Sequence, residues 1–279
     1  MSAGYCEDLV RAGDKDRYLA ALFAPDDLRP HLFALYAFNI EIARIRETVS
    51  EAALGEIRLQ WWQDAIAGIY AGTSQGHPVI EALAPAIAKG GLPQQALANM
   101  IEARQFDLYD DAMPSLNALE GYLGETSSML IQLAVMILAP ARAQGLAEIS
   151  GLAGVAMGIS GLLRSLPLQR ARGQCFVPAD LLARHGLTPT HLLAGRETRT
   201  IAEALAELGA HAGKRLGEAR ALANTVPPEA FPAFLPASLT GLYLKRLARL
   251  GERSLTEIAE VAQWRRQWSL YRHAKSQTL

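Results

Sequence analysis

Alanine and leucine fill most of the apolar positions along this chain, and stretches in which β-branched residues alternate with polar ones are scarce. Both residues lose little freedom in a helix, so the pattern reads as helical throughout and no sheet is expected. Helices are predicted over 14–23, 27–48, 51–71, 77–89, 94–111, 115–138, 144–166, 198–224, 238–250 and 255–274. The punctuation agrees: Asp26 and Asp27 suit a helix start, Glu51 follows Ser50, Gly72 closes a helix after Tyr70, and Pro227 and Pro228 break the chain. Pro167 to Pro178 is read as irregular. The proline-rich stretch Val226 to Pro236 carries Phe231, Phe234 and Leu235, which suit a core better than a linker.

The longest uncharged runs are Thr126 to Arg142 and Ile149 to Leu163. Neither reaches the roughly 20 strongly apolar residues of a spanning helix, so both are expected as buried helices and no transmembrane segment is expected. With 279 residues, half of them hydrophobic, the chain can bury a large core as one domain, 1–279. Lysine plus arginine is 27 against 28 acids, a net charge of −1, which gives no overall preference for nucleic acid or anionic membrane. Any anion site must be local. Cys6 and Cys175 are far apart and form no CxxC pair, so neither a disulfide framework nor a zinc site is supported. The first residues, MSAGYCEDLVRAGDKDRY, lack the basic start and apolar centre of a signal peptide. A cytoplasmic protein is expected, with peripheral contact at the inner face of the membrane left open.

Three segments carry more: Leu35 to Gly72 with LYAF and the pair Trp61–Trp62, Phe106 to Met129, and Gly158 to Leu187 with R-G-x-x-F-V-P from Arg172 to Pro178. Together, from about Tyr5 to Ala194, they resemble the squalene and phytoene synthase family. The resemblance implies an all-α, isoprenoid-synthase-type bundle around a central apolar cavity. In active members two aspartate-rich motifs face each other across that cavity and share Mg²⁺ with a prenyl diphosphate. Carboxylates four residues apart lie on one helix face, and hard oxygen ligands neutralise the diphosphate as it leaves.

This chain departs from the pattern at those positions. Ala43 and Arg44 stand where the leading aspartates of the first motif belong, and Glu47 keeps the third acid. In the second motif Arg164 is kept, but Ser165 and Gln169 replace both aspartates, and Pro167 should end or kink the helix. No metal ligand set is assigned. Glu41, Glu51, Glu56 and the group Asp107, Asp110 and Asp111 are read as solvated or helix-end charges rather than a rebuilt metal site. Arg44, Arg58, Arg164 and Arg172 are candidate anion ligands, since guanidinium pairs with phosphate without a metal, although Arg58 and Arg172 suit structural ion pairs equally well. Phe38, Met129, Leu133, Met136, Met157 and Leu162 are expected to line the cavity. Trp61 and Trp62 are read as core packing, and the six histidines show no paired ligand spacing.

The segments Phe38 to Glu51, Ile57 to Trp62 and Leu163 to Pro167 further resemble a branch of the family that assists assembly of respiratory complex I and is regarded as lacking the catalytic aspartates. That resemblance implies a non-catalytic protein without cofactor, whose partners are complex I subunits or assembly intermediates. Two other readings stand beside it. One is a Mg²⁺-dependent transferase condensing two prenyl diphosphates head to head; the other is a protein that binds a prenyl or other apolar ligand without turnover.

Overall fold

A computed structural model describes residues 2–73 and 76–279. The first part of the chain folds into α1 (Ser2–Gly13), α2 (Lys15–Ala21), α3 (Arg29–Ala43), α4 (Ile45–Thr48) and α5 (Ala52–Tyr70). Next come α6 (Pro78–Gly90), α7 (Gln94–Ala103), α8 (Gln105–Leu108) and α9 (Leu116–Leu123), which runs through a π-helical turn at Gly124–Ser128 into α10 (Met129–Leu138). The remainder holds α11 (Ala147–Arg164), α12 (Leu166–Ala171), α13 (Ala179–Arg184), α14 (Pro189–Ala194), α15 (Thr198–Ala221), α16 (Phe231–Ser238), α17 (Thr240–Leu250) and α18 (Gln263–Ser276). No strand occurs among the described residues.

Several expected boundaries move, each for a local reason. The helix expected over 27–48 breaks at Arg44, and that over 94–111 breaks at Arg104. The helix expected over 144–166 ends at Arg164, and Pro167 falls in the first turn of α12, where its missing N–H is one that has no helical partner anyway. Pro167 to Pro178 is therefore irregular only after Ala171. The helix expected over 255–274 starts at Gln263, because Gly251, at φ 54°, ends α17 and a 3₁₀ turn at Gly251–Leu255 intervenes. The proline-rich stretch does pack inward: every residue of α16 is buried, including Phe231, Phe234 and Leu235.

α11 is the central strut. It packs on α15, α10, α16 and α17, and its glycines set how close a neighbour can come. A Cβ on Gly154 would lie 2.3 Å from the Ser128 Cα, so the π-helical turn sits directly on the α11 backbone, where Ser128 Oγ donates to the Gly151 carbonyl at 2.9 Å. Leu116–Leu138 and Gln144–Arg164 are long and apolar enough by composition to cross a bilayer. Most of the most apolar stretch of each, 61% and 56%, is buried inside the bundle, so both serve as core helices here.

Candidate functional site

A cavity of about 510 Å³ opens where the end of α1 and the start of α2 meet α11, α16, α17 and α18. One wall is apolar, with Leu123, Met157, Leu162 and Pro236. The other is polar, and Asp16 is its hub. Asp14 caps α2 by accepting from the Arg17 N–H at 3.0 Å, which fixes the turn that presents Asp16 inward. Asp16 Oδ1 accepts from Arg266 Nη1 at 2.6 Å, Tyr243 Oη donates to its Oδ2, and Arg164 Nη1 lies 4.0 Å away. The Arg164 guanidinium carbon sits 3.5 Å from the centre of the Tyr243 ring, a cation–π contact. Burial, reinforced by the Asp16 charge, pushes the Tyr243 phenol well above its ordinary pKa, so it stays a donor.

The same cavity is bordered by a buried triad, two of whose members, Arg104 and Tyr122, line it. Arg104 Nη1 donates to Asp107 Oδ2 at 3.2 Å and to Tyr122 Oη at 2.8 Å, and Tyr122 Oη donates to Asp107 Oδ1 at 2.7 Å. Asp107 is therefore not the solvated charge expected from its acidic surroundings: the break at Arg104 turns α8 inward and buries it. Burial raises its pKa, and Arg104 and Tyr122 only partly oppose that. Six buried polar atoms of cavity-lining side chains have no hydrogen-bond partner within the protein: Nε of Arg104, Arg164 and Arg266, Asn39 Oδ1, Ser160 Oγ and Thr240 Oγ1. Unpaired buried groups are costly, and so many in one cavity fit a polar ligand or solvent.

The two degenerate motifs are closed by their own side chains. Glu47 Oε1 accepts from Arg172 Nη1 at 2.9 Å. Ser165 Oγ donates to the Gly161 carbonyl at 3.0 Å, while Gln169 Nε2 donates to Ser165 Oγ at 2.7 Å and to the Leu162 carbonyl at 2.9 Å. Ala43 ends α3, and the guanidinium of the exposed Arg44 is close enough to Gly13 that a Cβ there would meet it at 2.8 Å. These residues do not fit Mg²⁺: a small apolar group, a cation, a salt-bridged acid, a hydroxyl and an amide replace the carboxylate set, and no group of three His, Cys, Asp or Glu suited to a metal occurs among the described residues.

The four candidate anion ligands are not brought together. Arg164 lines the main cavity, Arg44 and Arg58 line a separate pocket of about 360 Å³ with Glu41, Trp61, Trp62 and His77, and Arg172 holds Glu47. Arg58 donates to Thr48 Oγ1 at the end of α4. Of the expected lining residues, Met157 and Leu162 face the cavity. Phe38 and Leu133 are fully buried in the core, and Met129 and Met136 pack against it. Trp62 is core, edge-on to Phe38 at 5.6 Å, whereas Trp61 is partly exposed beside His77. Sequence reasoning missed Asp16, Arg104, Tyr243 and Arg266. The D-K-D-R run at the α1–α2 junction was a visible signal, but nothing local marks Arg266, 250 residues from the acid it holds.

An all-α bundle with these two facing segments is the architecture of a prenyl synthase. The chain belongs to the squalene/phytoene synthase family, whose model matches residues 10–272, beyond the stretch in which its motifs are legible. Among curated relatives, the mouse NADH dehydrogenase (ubiquinone) complex I, assembly factor 6, is 32% identical over 246 residues, covering 88% of this chain and 74% of that protein. Among solved structures, a squalene synthase from Alicyclobacillus acidocaldarius superposes with a TM-score of 0.76 at 23% identity, covering 90% of this chain and 94% of that one. A dehydrosqualene synthase in complex with ligand reaches a TM-score of 0.81 at 18% identity, over 99% and 95% of the two chains.

Proposed function

We propose that this chain is a non-catalytic member of the family that assists assembly of respiratory complex I, acting from the cytoplasmic side of the membrane. The observation that carries the reading is the state of the two motifs: Glu47 is neutralised by Arg172, and Ser165 and Gln169 satisfy each other and nearby carbonyls. Metal-assisted departure of diphosphate needs carboxylates at those places. The named role of the curated relatives points the same way. Deleting the gene should lower NADH-driven respiration and the amount of assembled complex I on a native gel, with isoprenoid products unchanged. Normal complex I together with loss of a thirty- or forty-carbon isoprenoid product would overturn it.

A second reading sits within the first and rests on the cavity. The partnerless guanidinium nitrogens of Arg104, Arg164 and Arg266 opposite the apolar wall of Leu123, Met157 and Leu162 favour a ligand with an anionic head and an apolar tail, held without metal and without turnover.

A further inference from the structure

We propose that the outer face of α18, with the adjoining edge of α17, is a docking surface for a bilayer that contains anionic phospholipid. Trp264, Trp268 and Tyr271 are 64%, 58% and 49% exposed, large values for aromatic side chains on a helix that is otherwise docked. With Lys275 they follow i, i+4, i+7, i+11, which at about 100° per residue confines all four to an arc of about 60°. The opposite face holds the helix in place: Leu270 is buried, and Arg266 reaches Asp16 at 2.6 Å. The aromatic stripe is therefore presented on a fixed element, with Trp268 and Tyr271 stacked at 5.9 Å and the Arg265 guanidinium 5.2 Å from the Trp264 ring.

Charge identifies the occupant. Neither α17 nor α18 contains an acidic residue, although the chain as a whole is at −1. A groove of about 430 Å³ runs beside the stripe, lined by Arg220, Lys245 and Arg272 with Trp264, Arg265 and Trp268, and no carboxylate lines it. Tryptophan and tyrosine prefer the level of lipid headgroups, where the ring is apolar and its N–H or O–H stays wet, and neighbouring cations gain from an anionic surface. A protein partner would need a complementary acidic, apolar face, and a second copy meeting it through this same face offers none because the face is cationic. Single-stranded nucleic acid would also stack on these rings beside the cationic groove, and it is an alternative that the test decides. Because Arg266 on the inner face lines the main cavity, docking places that cavity on the side of the protein that faces the bilayer.

The inference does not depend on the assembly role, and its test is separate. Full-length protein is sedimented with phosphatidylcholine vesicles with and without phosphatidylglycerol, and tryptophan quenching by brominated lipid is read in parallel. Binding is expected only to the vesicles with phosphatidylglycerol, weakening as salt rises, with quenching that disappears in Trp264→Ala/Trp268→Ala while Trp61 and Trp62 remain unquenched. Arg265→Glu/Arg272→Glu should lower the partition coefficient at least about tenfold. Far-UV circular dichroism checks that both variants, altered only at outward positions, keep their fold. Failure to bind, undiminished binding by the double tryptophan variant, equal binding to neutral vesicles, a preference for single-stranded oligonucleotide, or a dimer dissolved by the same variants would each overturn the proposal.

Discussion

Glu47 and Arg172 are joined across 125 residues of sequence by a 2.9 Å contact, so the acid left in the first motif is held by the arginine that opens R-G-x-x-F-V-P. The two family segments still meet face to face, as they would around a metal, but through an ion pair. The pair forms a seam between α4 and the end of α12.

That seam should contribute little stability. Both partners are well exposed, 37% and 44%, and exposed pairs are worth about 0–1 kcal/mol. Arg172→Ala should leave the urea midpoint almost unchanged and, with one carboxylate freed, should produce no Mg²⁺ binding by calorimetry. Gln169→Asp is the contrasting change. Gln169 is 5% exposed and donates to two acceptors, and a carboxylate there would face the Leu162 carbonyl as acceptor against acceptor. A loss of about 2–3 kcal/mol in denaturant unfolding is expected, and a neutral result would mean that the second motif is not closed in this way.

Glycines on α11 divide into two kinds. A Cβ at Gly154 would lie 2.3 Å from the Ser128 backbone, and backbone cannot step aside. Gly154→Ala should therefore destabilise by about 2–3 kcal/mol, despite the gain in helix propensity. At Gly151, one turn earlier, nothing lies within 4 Å of the new atom, and Gly151→Ala should stabilise by about 0.5–1 kcal/mol. Thermal midpoints of the two variants moving in the same direction would contradict this account of the α11–π-turn contact.

Stability should also depend on pH through Glu120, which ties α9 to α15. Its Oε1 accepts from Arg215 Nε at 2.7 Å and lies 2.7 Å from His211 Nε2, and its Oε2 accepts from Arg215 Nη2 at 3.0 Å. Partial burial pushes its pKa up, but the hydrogen bonds from Arg215 and His211 outweigh that and leave it lowered. A depressed carboxyl stabilises above its unfolded pKa of about 4.3 and loses that contribution as pH falls through the folded value. Glu120→Gln should thus cost about 1–2 kcal/mol at pH 7, and the difference from the parent should shrink below about pH 4. A difference that stays constant down to pH 3 would assign the effect to shape rather than charge.

How much of this was legible follows from where each interaction sits along the chain. The helical class and the two altered motifs could be read because they depend on composition and on spacings of a few residues, as with Ser165 and Gln169. The break at Ser165 was announced by Pro167, whereas those at Arg44 and Arg104 were hidden, since no residue there is a strong helix breaker. Asp107 looked solvated because its neighbours Asp110 and Asp111 are acidic, while its partner Tyr122 lies 15 residues on. The cavity itself depends on Asp16 meeting Arg266 and Tyr243, 250 and 227 residues away, and no local pattern encodes such a meeting.

The cavity's cations make one last expectation about ligands. Lys15, Arg17, Arg104, Arg164 and Arg266 line it against Asp14 and Asp16, and Asp16 alone engages Arg266 and approaches Arg164. A prenyl diphosphate, with its anionic head toward these arginines and its tail along Leu123, Met157 and Leu162, should raise the melting temperature equally with Mg²⁺ or with a chelator, because the guanidinium groups do the neutralising. Asp16→Asn should tighten that binding about tenfold, since it removes a competing anion within 4.0 Å of two arginines while keeping an acceptor for Tyr243. Arg164→Ala/Arg266→Ala should abolish it, and the shortened side chains leave Leu270 to hold α18 in place. Binding that requires Mg²⁺, or Mg²⁺-dependent condensation of labelled farnesyl diphosphate to a thirty-carbon product, would contradict both the metal-free cavity and the non-catalytic role. Absence of any binding would remove the ligand reading and leave the assembly role to be decided by the gene deletion.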